Sequence, residues 1–141
     1  MIFYAVIDTN VLVSALLSSH SEAATVQLIG KLIIGEIIPV YSNEIMCEYQ
    51  EVLSRKKFKF APESIKYILM AIEKYGILVE PSSTGIILPD MKDLPFYEVV
   101  MEKRDEDAYL VTGNLRHFPK EPFIVTARQM LDMLEGKEEH I

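Results

Sequence analysis

The chain has 141 residues, half of them apolar and a quarter charged, with one cysteine and a formal net charge of −7. That length and apolar content serve one domain over 1–141 with one core, and no apolar run approaches the ~20 residues of a membrane span. The lone Cys47 excludes an internal disulfide and a multi-cysteine zinc site, and the acidic balance excludes nucleic-acid binding through bulk charge alone, which needs a basic surface.

Met1 to Ile7 has no basic leader region and reads as a first strand rather than a signal peptide, so a cytoplasmic location is expected. Tyr4–Ile7 is a buried strand stopped by Asp8, and Asp8 or Thr9 can cap the helix that runs through Leu17. Ala24, Leu28, Ile29, Leu32 and Ile33 recur at helical spacing until Gly35. Ile37–Tyr41 is a second strand, and Ser42 opens a periodic helix to about Ser54. Pro62 suits a first helical position, with apolar spacing continuing to Gly76. Ile77–Val79 is a third strand, and Glu80–Pro89 is rich in turn-formers. Helix resumes near Pro95, and Glu102–Asp107 reads as exposed loop. Ala108–Val111 and Phe123–Val125 are the last strands. Thr126 with Gln129 forms a capping box for a final helix to about Glu135, before a frayed 136–141 tail. Strands alternating with helices predict an α/β fold, a parallel sheet of about five strands with helices on both faces. Functional residues in such sheets gather beyond the C-terminal strand ends, where strand order reverses.

Asp8, Glu48, Asp90, Asp93 and Asn114 fall where that rule points. Asp8 could be a helix cap, but Asp8-Thr9-Asn10 sets three short polar side chains where one cap suffices. Glu48 lies on the border of an apolar stripe of Ile45, Met46, Tyr49, Val52 and Leu53, at about 100° per residue. Geometry alone leaves it evenly divided between a solvated face and the strand ends, whereas Glu44 and Glu51 read as solvated. Asp90 and Asp93 suit a turn and an N-cap, and Glu98 suits the first part of a helix. As a group these acids repel one another and raise one another's pKa unless a divalent cation neutralises them. Mg²⁺ and Mn²⁺ prefer such oxygen ligands and keep bound water, which suits phosphodiester hydrolysis. His20, His117 and His140 show no ligand spacing. Arg55-Lys56-Lys57-Phe58-Lys59-Phe60 reads first as a solvated turn, although its mixture of cations and aromatics could track an RNA backbone. No P-loop, Gly-rich dinucleotide motif or Ser-His pattern is present.

Val6-Ile7-Asp8-Thr9-Asn10-Val11-Leu12-Val13-Ser14-Ala15 resembles the opening of PIN domains. So do Ser42 through Glu48-Tyr49-Gln50-Glu51-Val52-Leu53 and Arg55, the segment from Asp90 to Glu98, and Tyr109-Leu110-Val111-Thr112-Gly113-Asn114. In this order they span nearly the whole chain and most resemble the bacterial group of toxin–antitoxin toxins. The resemblance implies a metal-dependent endoribonuclease with a PIN-like three-layer α/β/α fold. Asp8, Glu48 and an acid from the Asp93–Glu98 segment, Asp93 ahead of Glu98, would hold Mg²⁺ or Mn²⁺. Thr9, Asn10, Thr112 and Asn114 would position water or substrate. It further implies an RNA substrate, an antitoxin protein partner and room for a homodimer. Asn114 stands where the family commonly has Asp, and Glu102–Asp107 where it more often has small apolar residues. A module with weak catalysis that binds RNA or protein is the alternative. A flavodoxin-like receiver is disfavoured, because the third strand runs into Val79-Glu80-Pro81 without the Asp a receiver needs.

Overall fold

The structure, a computed structural model, describes residues 2–136; His140 and the expected frayed tail beyond Gly136 lie outside the described residues. Five parallel strands form one sheet: β1 (Phe3–Ile7), β2 (Ile37–Tyr41), β3 (Ile77–Leu78), β4 (Tyr109–Val111) and β5 (Ile124–Val125), in the order β3-β2-β1-β4-β5. β1 is central, with Ala5 opposite Pro39 of β2 and Tyr109 of β4. It is buried on both sides, so it reads as a continuous apolar run, Ala5, Val6 and Ile7. Proline rarely sits inside a sheet because it donates no ladder hydrogen bond. Pro39 is tolerated because β3 pairs only with Val40 and Tyr41, beyond it. The outer strands are shorter than the apolar runs predict, since pairing stops where the neighbouring strand stops; Val79 still donates to the Tyr41 carbonyl but leaves the ladder.

The helices are α1 (Thr9–Leu17), α2 (Ala24–Ile33), α3 (Asn43–Leu53), α4 (Pro62–Tyr75), α5 (Leu94–Glu102) and α6 (Ala127–Leu134), and they flank the sheet in a PIN-like three-layer α/β/α arrangement. α5 lies across β1, β2 and β4, burying Phe96, Val99 and Val100, while α2 packs on β2, α1 and α6 through Leu28 and Leu32. Local chemistry sets the ends as the sequence predicts. The Ser42 hydroxyl accepts from Ile45 N at the start of α3, Pro62 opens α4, and Thr126 and Gln129 form the reciprocal capping box of α6. The charged run after α5 is more ordered than a loop. Arg104–Glu106 form a 3₁₀ turn, and Arg104 both donates to the Ala108 carbonyl and lies over the Phe123 ring. Among the described residues no helix is long and apolar enough to cross a membrane.

Candidate active site

Strand order reverses between β1 and β4: the chain grows from β1 toward β3 on one side and through β4 to β5 on the other. Crevices open at such a point beyond the strand ends, and Asp8 and Thr112 are the residues that follow the two strands. The Asp8 amide donates to the Val111 carbonyl at 2.9 Å, continuing the ladder one residue past β1. Asp8 precedes α1 in the cap position, yet its side chain makes no cap hydrogen bond. It turns inward instead and accepts from Thr112 Oγ1 at 2.7 Å and Asn10 Nδ2 at 3.3 Å. Only 5% of Asp8 is exposed. Burial pushes its carboxyl up to about 6; the Thr112 hydrogen bond pulls it down, and the charges of Asp93 and Glu48 add to the rise.

Glu48 is half-buried, as a residue on the border of its helical stripe should be. Its Oε2 accepts from Thr9 Oγ1 at 2.5 Å, so α1 and α3 are joined through the site. Burial raises its pKa, the Thr9 bond opposes that, and Asp93 adds to it. The next residue anchors α3 from below: the buried Tyr49 hydroxyl donates to the Ile7 carbonyl at 2.5 Å, fixing the helix to the end of β1. Glu51 is exposed, as expected, but it does not point away from the site. Residues three apart on a helix share a face, and Glu51 lines the same cleft as Glu48. There it holds Arg55 by two hydrogen bonds of 2.8 and 3.0 Å.

Asp93 completes the acidic group. Its position before α5 suits an N-cap, but it makes no cap hydrogen bond; its Oδ2 stands 3.0 Å from His117 Nδ1. Its pKa is raised, first by burial, with His117 opposing the rise and Asp90 adding to it. Asp90 is the residue that caps, accepting from Lys92 N. Glu98 lies apart: its carboxylate accepts from the amide and hydroxyl of Thr84 in the loop before α5. Asn114 follows Thr112 and lends its amide N–H to the Thr112 hydroxyl at 3.0 Å, while Gly113 N donates to Asn10 Oδ1 at 3.1 Å. Asp8, Thr9, Asn10, Glu48, Asp93 and Asn114 therefore line one open cleft of about 490 Å³. Arg55, Phe58, Lys92 and His117 share that lining; Arg55 and Phe58 belong to the run whose cations and aromatics could track RNA, whereas Lys92 and His117 were not among the expected site residues. For His117 a signal existed: it lies three residues beyond Asn114, at the same strand end.

Asp8, Glu48 and Asp93 offer hard oxygen donors that destabilise one another when ionised, a donor set suited to Mg²⁺ or Mn²⁺. Among the described residues no three His, Cys, Asp or Glu side chains close into a ready-made cage. Mg²⁺ keeps several waters and needs only one or two carboxylates from the protein, so an open acidic cleft fits it better than it fits zinc. The histidine and the lone, exposed Cys47 do not make a soft-ligand site here.

A family model described as PIN domain matches residues 4–116, from β1 past Asn114. No curated protein and no solved structure matches the chain significantly.

Proposed function

Since the chain belongs to the PIN-domain family, whose members are generally nucleases, we propose that it is a metal-dependent endoribonuclease. The observation that carries this reading is Asp8, a carboxylate buried at the strand-order reversal, unused as a helix cap and lifted to about 6 by burial, with the charges of Asp93 and Glu48 adding to the rise. A fold keeps such a group where a cation or a proton is needed. Asp8, Glu48 and Asp93 would hold Mg²⁺ or Mn²⁺, which supplies the positive charge for the phosphate and a more acidic water. Glu98, engaged by Thr84, is left out of that set. Thr112 and Thr9 each give their single hydroxyl proton to a carboxylate, Asp8 and Glu48, and so hold the lone pairs of these acids in place. The Asn114 amide lines the cleft and can donate to a phosphate oxygen without adding charge. Asn10 ties Asp8 to the Gly113 amide and keeps the two strand-end turns together.

At a finer level, we read the enzyme as the cytoplasmic toxin of a toxin–antitoxin pair, silenced by a small antitoxin protein that covers the open cleft; a homodimer is compatible with this reading. The deciding experiment is cleavage of RNA by purified protein with Mn²⁺ or Mg²⁺, against a chelator control. Asp8→Asn deletes one ligand charge and little volume, so it should lower the rate at least about 100-fold while leaving the melting curve cooperative. Cleavage that survives both chelator and Asp8→Asn would sink the reading. Two features favour the alternative of an RNA- or protein-binding module with weak catalysis: Asn in place of a fourth acid, and the lack of a closed cage among the described residues. RNA binding without cleavage at any metal concentration would establish that alternative.

A further inference from the structure

The acidic cleft does not use most of the basic stretch that follows α3. Arg55, Lys56, Lys59 and Lys66 line a second cleft of about 410 Å³, and no acidic side chain joins them. This is an unusual concentration in a chain of net charge −7. The ion pairs among the described residues engage Lys31, Arg55, Lys103 and His117, so Lys56, Lys59 and Lys66 stand without ion-pair partners there. The turn that presents them has a defined shape. Phe58 and Phe60 stack with centroids 5.2 Å apart and planes 8° from parallel, and Lys59 between them adopts a left-handed φ of 56°. A non-glycine residue holds that conformation only where its surroundings enforce it.

The basic cleft continues the acidic one. Arg55 lines both, and Phe58 on the acidic side stacks on Phe60 on the basic side. Another cleft of about 450 Å³ adjoins the site across Asn10 and Asn114, but Arg128 is the single cation in its lining. Of the two routes away from the acids, the one over Arg55 neutralises phosphate charge. The partly exposed Phe58 and Phe60 rings among these cations suit a single strand, whose bases are free to stack on aromatic side chains, better than a duplex, whose bases are already stacked.

We propose that a single strand of RNA leaves the acidic centre over Arg55 and lays its neighbouring phosphates along Lys56, Lys59 and Lys66. This rests on the nuclease reading for the identity of the strand, and on the groove for its path. The chain's negative charge then ceases to be an obstacle, because repulsion at the acids is met by a local cationic track next to them.

The test is binding of a short single-stranded RNA to full-length protein carrying Asp8→Asn, in Mg²⁺, across a salt series. Combined Lys56→Gln, Lys59→Gln and Lys66→Gln should weaken binding about tenfold or more, and the slope of log affinity against log salt should shrink by about 0.7 for each phosphate that is no longer neutralised. Arg128→Gln should leave affinity within about twofold. Unchanged affinity and slope in the lysine variant, or an equal loss from Arg128→Gln, would overturn the proposal even where the wild type cleaves RNA. A lysine-dependent slope in a protein that never cleaves would uphold the groove and remove the nuclease reading. Annealing the complementary strand should weaken binding; a duplex bound as tightly as the single strand would overturn the single-strand path.

Discussion

Asn114 reaches the cleft from the turn after β4, and its side chain has no hydrogen-bond partner among the described residues, while its backbone amide is held by Thr112. Replacing it with Asp changes charge without changing shape. Asn114→Asp should tighten Mn²⁺ severalfold in a calorimetric titration and lower the melting temperature in chelator, because a further carboxylate joins Asp8 and Asp93. A flat result in both would place Asn114 outside the metal's reach. At this scale the sequence was informative where strand ends were apparent: Asp8, Thr112 and Asn114 follow apolar runs closely. It left Asp93 and Glu98 unresolved. Five residues apart, they turn about 140° from one another on a regular helix, and only folding shows that Asp93 meets His117 while Glu98 meets Thr84. Arg55 was legible as the start of a basic, aromatic run, but its place in the acidic cleft was not, because that depends on the path of the chain beyond α3, which no periodicity encodes.

The helix α3 carries Glu48 toward Asp8 and Glu51 toward Arg55, so two acids on one element have different duties. Glu48→Gln should reduce cleavage strongly, on the scale of Asp8→Asn, whereas Glu51→Gln, which frees Arg55 without touching Asp8, should cost severalfold at most. Equal losses in kcat/KM would refute this division. Another element-level constraint lies where α4 turns into β3. Gly76 has an ordinary negative φ of −94°, so no special conformation requires glycine. Steric room does: a Cβ there would come within 2.4 Å of the Ile72 carbonyl oxygen and 2.7 Å of that of Pro39. Both are backbone atoms and cannot swing aside. Gly76→Ala should destabilise the protein by roughly 1–3 kcal/mol, read as a lower denaturant midpoint with an unchanged slope. Helices and strands were legible from apolar spacing because each buries a regular face. Their exact ends were less so, because a strand stops where its neighbour stops and β3 is cut to two residues by what β2 offers it.

For the whole molecule the acidic cleft couples stability to pH. Asp8 titrates near 6 in the fold against 3.8 when free. A carboxyl raised in the folded state favours the fold while protonated. Its contribution is therefore complete below about pH 4 and lost as pH rises through about 6, up to about 3 kcal/mol in all; Glu48 and Asp93 shift the same way. In chelator, the wild type should lose stability relative to Asp8→Asn between pH 4 and 7. Millimolar Mn²⁺ should restore it at pH 7.5 and do less at pH 5, where protons compete for the same oxygens. Melting temperatures that ignore both pH and metal would contradict this coupling. The same geometry has a temporal side. The hydrogen bond from Thr112 to Asp8 spans 104 positions of sequence, and β1 waits for β4 before its second edge is covered. Pairing over such separations is slow, and domains emerge from the ribosome N-terminal end first. An unfinished chain that ends before Tyr109 has Asp8 but neither the strand that covers the second edge of β1 nor the Thr112 hydroxyl that sets the Asp8 carboxyl. The cleft proposed to cut RNA would therefore stay incomplete on the nascent chain until most of the polypeptide has been translated.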